Sequence, residues 1–492
     1  MKIRILDICL VLLFFAIRPG IAQKKDKNLR RNVIFILSDD HRYDYMGFTG
    51  KIPWLETPNM DKMAEEGAYF KNAFVTTSLC SPSRATILTG MYSHIHNVVD
   101  NHAPVPENLT YFPEYLQDNG YQTAFLGKWH MGSNSDSPRP GFDHWESFKG
   151  QGDYYNPTLN INGQRVEYND STYITDLLTE HAIDWLAERD KKKPFFLYLS
   201  HKAVHGSFHP AKRHIGRYAG KKFSFPDTYS QTKTEEWRSL DWPDWVKEQR
   251  VSWHGVDYFL HDKLSDGIEP VVQAYCETLL GVDESIGSVL NYLEEEGIDD
   301  STLVIYMGDN GWSFGEHGLM DKRHFYEESG KVPLLVRCPE VFEGGRVVDK
   351  LVQNIDIAPT ILEVAGISKP EHMNGLSFIP LLKGNMEGWR DKIFYEYFWE
   401  YDYPMTPTMF GLRTDTTKYI MYYGIWDQNE FFSIKDDPNE MYNLITKEEL
   451  QPLIKQHLIE LYDWLEETGG MKIPLKETIK HKGTDYKHYG QY

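Results

Sequence analysis

Apolar residues fall in short unbroken runs, separated by polar loops and by stretches with a helical period. Residues 33–37 are continuously apolar, as in a strand buried on both faces. Similar runs stand at 123–126, 195–199, 303–307 and 332–336. Between them the period lengthens. Ile174, Leu177, Leu178 and Leu186 mark one helix; Tyr275, Leu279, Val282, Ile286, Val289 and Leu293 mark a longer one, ended by Gly297. Thr57-Pro58 supplies a cap and a first-turn proline for another, which Gly67 closes. Alternating strands and helices predict an α/β fold with a large mixed, mostly parallel sheet sandwiched by helices.

Near residue 385 the pattern changes. Segments 392–398, 418–423 and 430–434 are short, aromatic and alternating, and a helical stretch at about 447–467 follows. They predict a smaller C-terminal antiparallel sheet plus helix, with 23–385 as the main domain and 386–492 as the C-terminal subdomain and tail. Residues 206–267 interrupt the main pattern and carry four of the 13 tryptophans: Trp237, Trp242, Trp245 and Trp253. Such an insertion is either a small packed subdomain or a binding loop whose tryptophans stack on sugar rings.

The 492-residue chain, 41% hydrophobic, is too apolar to stay unfolded and long enough to bury a sizeable core. Its 72 acidic and 52 basic residues leave a formal charge of −20. That argues against nucleic acid or anionic membrane as a partner, and any anion site must be assembled locally. Residues 1–22 read as a cleaved signal peptide. Lys2 and Arg4 precede an apolar run at 8–17, too short to span a bilayer, and Gly20 and Ala22 offer a small-x-small cleavage pattern. The expectation is export, to the periplasm or the medium, without membrane insertion. Removing the signal, with its Cys9, leaves Cys80, Cys276 and Cys338, which cannot form a disulfide framework. Cys276 and Cys338 read as small buried hydrophobes.

Several strands end in chemically capable residues. Ser38-Asp39-Asp40-His41 follows the first, Gly127-Lys128-Trp129-His130 the second, Ser200-His201-Lys202-Ala203-Val204-His205 the third and Gly308-Asp309-Asn310-Gly311 the fourth. In open α/β sheets ligands bind beyond the carboxyl ends of strands. Asp39, Asp40, Asp309 and Asn310, brought together, would need a cation, and an all-oxygen set suits Ca²⁺ or Mg²⁺. Cys80 stands at or just before the start of a short helix that Gly90 closes, where free N–H groups favour an anion, and Arg84 lies one turn in.

Cys80-Ser81-Pro82-Ser83-Arg84, followed by Thr89-Gly90, resembles the first signature of the type I, formylglycine-dependent sulfatases; the run from Gly120 to His130 resembles their second. Asp39-Asp40, His205, and Gly308-Asp309-Asn310-Gly311 with Lys322 follow in the family's order, over about 31–444. The resemblance implies an alkaline-phosphatase-like fold and an exported sulfatase acting on a sulfated carbohydrate. The polymer would be algal (ulvan, carrageenan, fucoidan), a glycosaminoglycan or mucin. The same resemblance implies that a formylglycine-generating enzyme oxidises Cys80 to Cα-formylglycine. One Ca²⁺ would be held by Asp39, Asp40, Asp309, Asn310 and residue 80. One oxygen of the hydrated aldehyde would attack sulfur, and the other would then help expel sulfate. Arg84, Lys128 and Lys322 would clamp the sulfate charge, and His130 would orient formylglycine or sulfate. His205, or else Lys322, would protonate the leaving alkoxide. Val204 stands where many relatives have proline, so His201 and His209 remain open beside His205. Gly315-Glu316-His317-Gly318 either contacts sugar or shapes a loop. A formylglycine-dependent phosphonate or phosphoester hydrolase is the alternative activity.

Overall fold

The structure, a computed structural model, describes residues 30–132, 135–232, 241–252, 254–258 and 267–474. The expected signal peptide, Trp237, Trp253 and most of the polar tail lie outside the described residues.

Among the described residues the centre is a ten-stranded sheet. Thr302–Gly308, Asn32–Ser38, Phe195–Ser200, Gln122–Gly127 and His144–Ser147 lie side by side in it, all parallel. Ile34 and Ile36, with Leu197, Leu199 and Val304, pack on helices Pro58–Glu66, Ile174–Glu188 and Glu269–Glu295. Val33, Phe35 and Leu37, with Phe196, Ile305 and Met307, pack on Cys80–Thr89, Phe112–Asp118 and Ile357–Val364. Alternate side chains therefore enter two separate apolar layers, so the strand has no polar face. Each fully buried aliphatic side chain contributes about 1.5–3 kcal/mol.

The flanks supply the antiparallel part of the expected mixed sheet. The run at 332–336 becomes Leu334–Arg337 and pairs antiparallel with Thr302–Gly308. Pro333 stands before it and has no N–H to give to a ladder. Beyond it lie Ala68–Phe70 and Arg346–Val348, and the opposite edge continues through Thr158–Ile161 and Gln164–Glu167. These strands of three or four residues are too short to carry a period.

The C-terminal antiparallel sheet has four strands among the described residues: Lys392–Tyr397, Thr408–Thr414, Thr417–Tyr423 and Glu430–Ser433. Thr408–Thr414 escapes the sequence pattern because Gly411 interrupts it. A Cβ there would stand 2.4 Å from the Phe325 ring, which fills the space instead. One face of this sheet meets the main domain through Phe325, Tyr326, Trp242 and Trp245. Helix Gln451–Thr468 covers the other with Ile454, Leu461 and Trp464. Trp242 and Trp245 are thus packing residues and not sugar platforms; Trp242 Nε1 donates to Met441 O over 3.2 Å. No helix among the described residues is long and apolar enough to cross a membrane.

Candidate active site

Parallel pairing sets the strand ends level. Ser38 is in register with Gly308, Leu37 with Ser200, and Ser200 with Gly127. The residues that follow therefore open onto one edge of the sheet. Asp40 turns there at φ 57°, a left-handed conformation that aspartate tolerates better than most residues. Its N–H donates to Asp309 Oδ1 over 3.0 Å, while the Asp309 N–H donates to Ser38 O over 2.9 Å.

Cys80 is the first residue of helix Cys80–Thr89 and is fully buried beneath this edge. Its Sγ lies 3.5 Å from Asp39 Oδ1 and 3.1 Å from Lys322 Nζ. Burial and Asp39 push the thiol up to about 12, so unmodified Cys80 is a poor nucleophile.

Each expected cation has a carboxylate partner. The Arg84 guanidinium meets Asp309 Oδ2 through Nε at 2.9 Å and Nη2 at 2.8 Å, and its Nη1 donates to Lys128 O and Ser200 Oγ. Lys128 donates to Asp39 Oδ2, and Lys322 to Asp40 Oδ1. The oxygens of Asp39, Asp40 and Asp309 lie within 4.8 Å of one another. Burial raises the proton affinity of Asp39, but Lys128, His205 and Arg84 outweigh it and hold that carboxyl well below the usual range. Burial, opposed by Lys322 and reinforced by Asp39 and Asp309, pushes Asp40 up to about 7. Among the described residues, buried Asp40 Oδ2 and Asn310 Oδ1 have no hydrogen-bond partner. Crowded carboxylate oxygens and two unsatisfied oxygen acceptors form a donor set that fits a hard divalent cation.

Of the three candidate histidines, the structure brings His205 to this pocket. Its Nε2 lies 3.8 Å from Asp40 Oδ2, and Nδ1 donates to Gly206 O over 2.6 Å. His201 is instead buried against helix Glu269–Glu295, with Nε2 3.0 Å from Ser285 Oγ, and the His209 ring packs edge-on against Tyr154. His130, at φ 57°, sits between Ser81 and Gln151. Burial and Lys128 hold both His130 and His205 well below the usual imidazole range. The 315–318 segment is packed loop: Glu316 pairs with Arg42 over 2.8 Å, and His317 stacks on Tyr326.

The sequence assigns no role to three further polar features of the site. Gln151 touches both Lys128 and His130. Lys202 is buried with its Nζ 4.6 Å from the Tyr154 ring centre, and burial with Lys128 nearby lowers it to about 8. Asp321, next to Lys322, pairs with Arg323 and with His254 at 2.7 Å; Arg323 continues to Glu400 at 2.8 Å. Apart from the neighbouring Arg323, their partners come from segments distant in the chain, which no local pattern joins.

The family model described as "Sulfatase" matches residues 31–367, and one described as "N-sulphoglucosamine sulphohydrolase, C-terminal" matches 315–467. The N-acetylglucosamine-6-O-sulfatase of Bacteroides thetaiotaomicron is 34% identical over 94% of this chain and 90% of its own length. A solved structure in complex with its substrate D-glucosamine-2-N,6-O-disulfate is 31% identical, covers 91% of this chain and 100% of its own, and superposes with a TM-score of 0.78. The phosphonate monoester hydrolase of Agrobacterium radiobacter shares the fold, with a TM-score of 0.72 at 22% identity over 89% of this chain and 96% of its own. This chain belongs to the sulfatase family, of alkaline-phosphatase-like fold, and is a sulfuric ester hydrolase.

Proposed function

We propose that the enzyme removes a sulfate ester from an amino sugar, the 6-O-sulfate of an N-substituted glucosamine, within breakdown of a sulfated glycan. The observation that carries this is the pocket in which Asp39, Asp40, Asp309 and Asn310 meet Cys80, Arg84, Lys128 and Lys322. The relatives' named substrates supply the sugar. Among the polymers the resemblance allows, those containing glucosamine fit best.

Asp39, Asp40, Asp309 and Asn310, with residue 80, would hold one Ca²⁺, which when bound supplies positive charge against the sulfate oxygens. Residue 80, once converted to formylglycine by a maturation enzyme, would supply an aldehyde hydrate as the nucleophile toward sulfur. The remaining work falls to side chains already in place. Arg84 holds Asp309 and the Lys128 carbonyl, so Lys128 is presented from a rigid strand end. Lys128 and Lys322 face the charge that builds up on sulfate, in a site from which burial excludes competing water. His205 Nε2 protonates the departing sugar oxygen, since an arriving anionic ester raises the proton affinity of the imidazole. Lys322 is the second candidate for that step. Residues 23–385 would carry the chemistry and 386–492 would buttress it, after export directed by 1–22 to the periplasm or medium.

Two measurements test the reading. Mass spectrometry of the Cys80 peptide, after expression with a maturation enzyme, is expected to show loss of the thiol and gain of the aldehyde. Sulfate release from 6-O-sulfated N-acetylglucosamine is expected to exceed release from a matched phosphonate or phosphate ester. An unconverted, inactive Cys80 enzyme, or faster phosphonate hydrolysis, overturns it.

A further inference from the structure

The loop after strand His144–Ser147 has no part in the chemistry so far, yet one side chain in it engages two site residues at once. Lys128 Nζ donates to Gln151 Oε1 over 2.5 Å, and Gln151 Nε2 lies 3.1 Å from His130 Nε2. An ammonium can only donate, so the amide must turn its oxygen to Lys128. Its NH₂ then faces His130, whose Nε2 must be the acceptor. A neutral imidazole in that position carries its proton on Nδ1. Ser81 agrees from the opposite side: its hydroxyl donates to His130 O, leaving the oxygen lone pairs 3.4 Å from Nδ1. The turn itself is tightly specified. Gly150 and Gly152 flank Gln151 at φ 54° and 63°, and a Cβ on Gly152 would stand 2.4 Å from the Phe148 ring.

We propose that Gln151 is a positioning residue that locks His130 as the neutral Nδ1–H tautomer while holding Lys128 toward the sulfate site. The significance of the lock rests on the sulfatase reading above. With Nε2 accepting and its one proton on Nδ1 turned to Ser81, His130 has no proton to give at Nε2, and protonation of the leaving group stays with His205 or Lys322 as proposed above. Burial and the Lys128 charge favour the same neutral imidazole.

The test is ¹⁵N spectroscopy of histidine-labelled mature enzyme without substrate, with the His130 signals assigned by their loss in His130→Asn. Wild type is expected to show the Nδ1–H tautomer at pH 7. In Gln151→Glu the carboxylate still accepts from Lys128 but cannot donate. That variant is expected to move His130 to the Nε2–H or imidazolium form, and to lower kcat about tenfold or more with KM changed far less. Gln151→Met, which removes both contacts without adding charge, is expected to lose kcat similarly. A wild-type His130 protonated on Nε2 or on both nitrogens overturns the proposal without reference to any variant's folding. A Gln151→Glu enzyme that keeps the wild-type tautomer or the wild-type kcat overturns it as well. Because the tautomer is read without substrate, failure of wild type to release sulfate would sink the sulfatase reading separately.

Discussion

Asp40 is where the electrostatics of the pocket balance least well. Lys322 and the Asn310 amide donate to one of its oxygens, the other oxygen has no hydrogen-bond partner among the described residues, and burial with two neighbouring carboxylates raises it to about 7. A divalent cation bound by these oxygens would hold them ionised and stabilise the fold by mass action. EGTA is therefore expected to abolish sulfate release and lower the melting temperature, with Ca²⁺ restoring both. At about 100 times Kd the gain is about 2.7 kcal/mol. A melting curve unmoved by EGTA and by Ca²⁺ would remove the cation from the account. Residue 80 gives a second expectation at this scale. Cys80→Ala is expected to cut sulfate release by about 10³-fold or more while melting within a few degrees of wild type. Arg84→Lys should keep the charge but lose the double contact to Asp309, costing about 10²-fold in kcat.

Elements decide how well these side chains are aimed. Gly127 closes strand Gln122–Gly127 at φ 116°, and a Cβ on it would stand 1.8 Å from Ser200 O on the neighbouring strand. Gly127→Ala is expected to pry these strand ends apart, costing about 2 kcal/mol or more and displacing Lys128, the next residue. Urea denaturation with parallel activity assays would check this; full activity at wild-type stability would refute it. The strands of the main sheet legible in the sequence are those buried on both faces, such as Asn32–Ser38, because a strand between two apolar layers tolerates no polar position. Thr408–Thr414 was illegible for the converse reason: Gly411 is there to admit the Phe325 ring, and that neighbour lies far away in the chain.

At the scale of the molecule, the two sheets meet through buried charges as well as aromatic rings. Lys418 Nζ lies 2.8 Å from Glu327 and 2.7 Å from Glu440, Arg413 pairs with Glu327, and Glu430 accepts from the hydroxyls of Tyr326 and Tyr422. Burial pushes Glu430 up to about 8, from the ordinary 4.5. A carboxyl whose folded value is raised binds its proton more tightly in the native state. Its stabilising contribution is complete below about pH 4.5 and is lost as pH rises to about 8. Glu430→Gln is expected to flatten this part of the stability profile, so that wild type minus variant declines between about pH 5 and 8. Denaturant melts across that range would show it, and parallel profiles would exclude it.

The sequence by itself determined the alternation of strand and helix, the parallel heart of the main sheet and the order in which Asp39, Cys80, Lys128, His205, Asp309 and Lys322 arrive. Local patterns write these directly, since a doubly buried strand must be apolar and a turn beyond it is free to be polar. Only the tertiary structure decided which histidine joins the pocket, that Trp242 and Trp245 are packing residues, and that Gln151 spans Lys128 and His130. Those outcomes depend on which distant segments come within a few ångströms of one another, and no spacing along the chain encodes that distance.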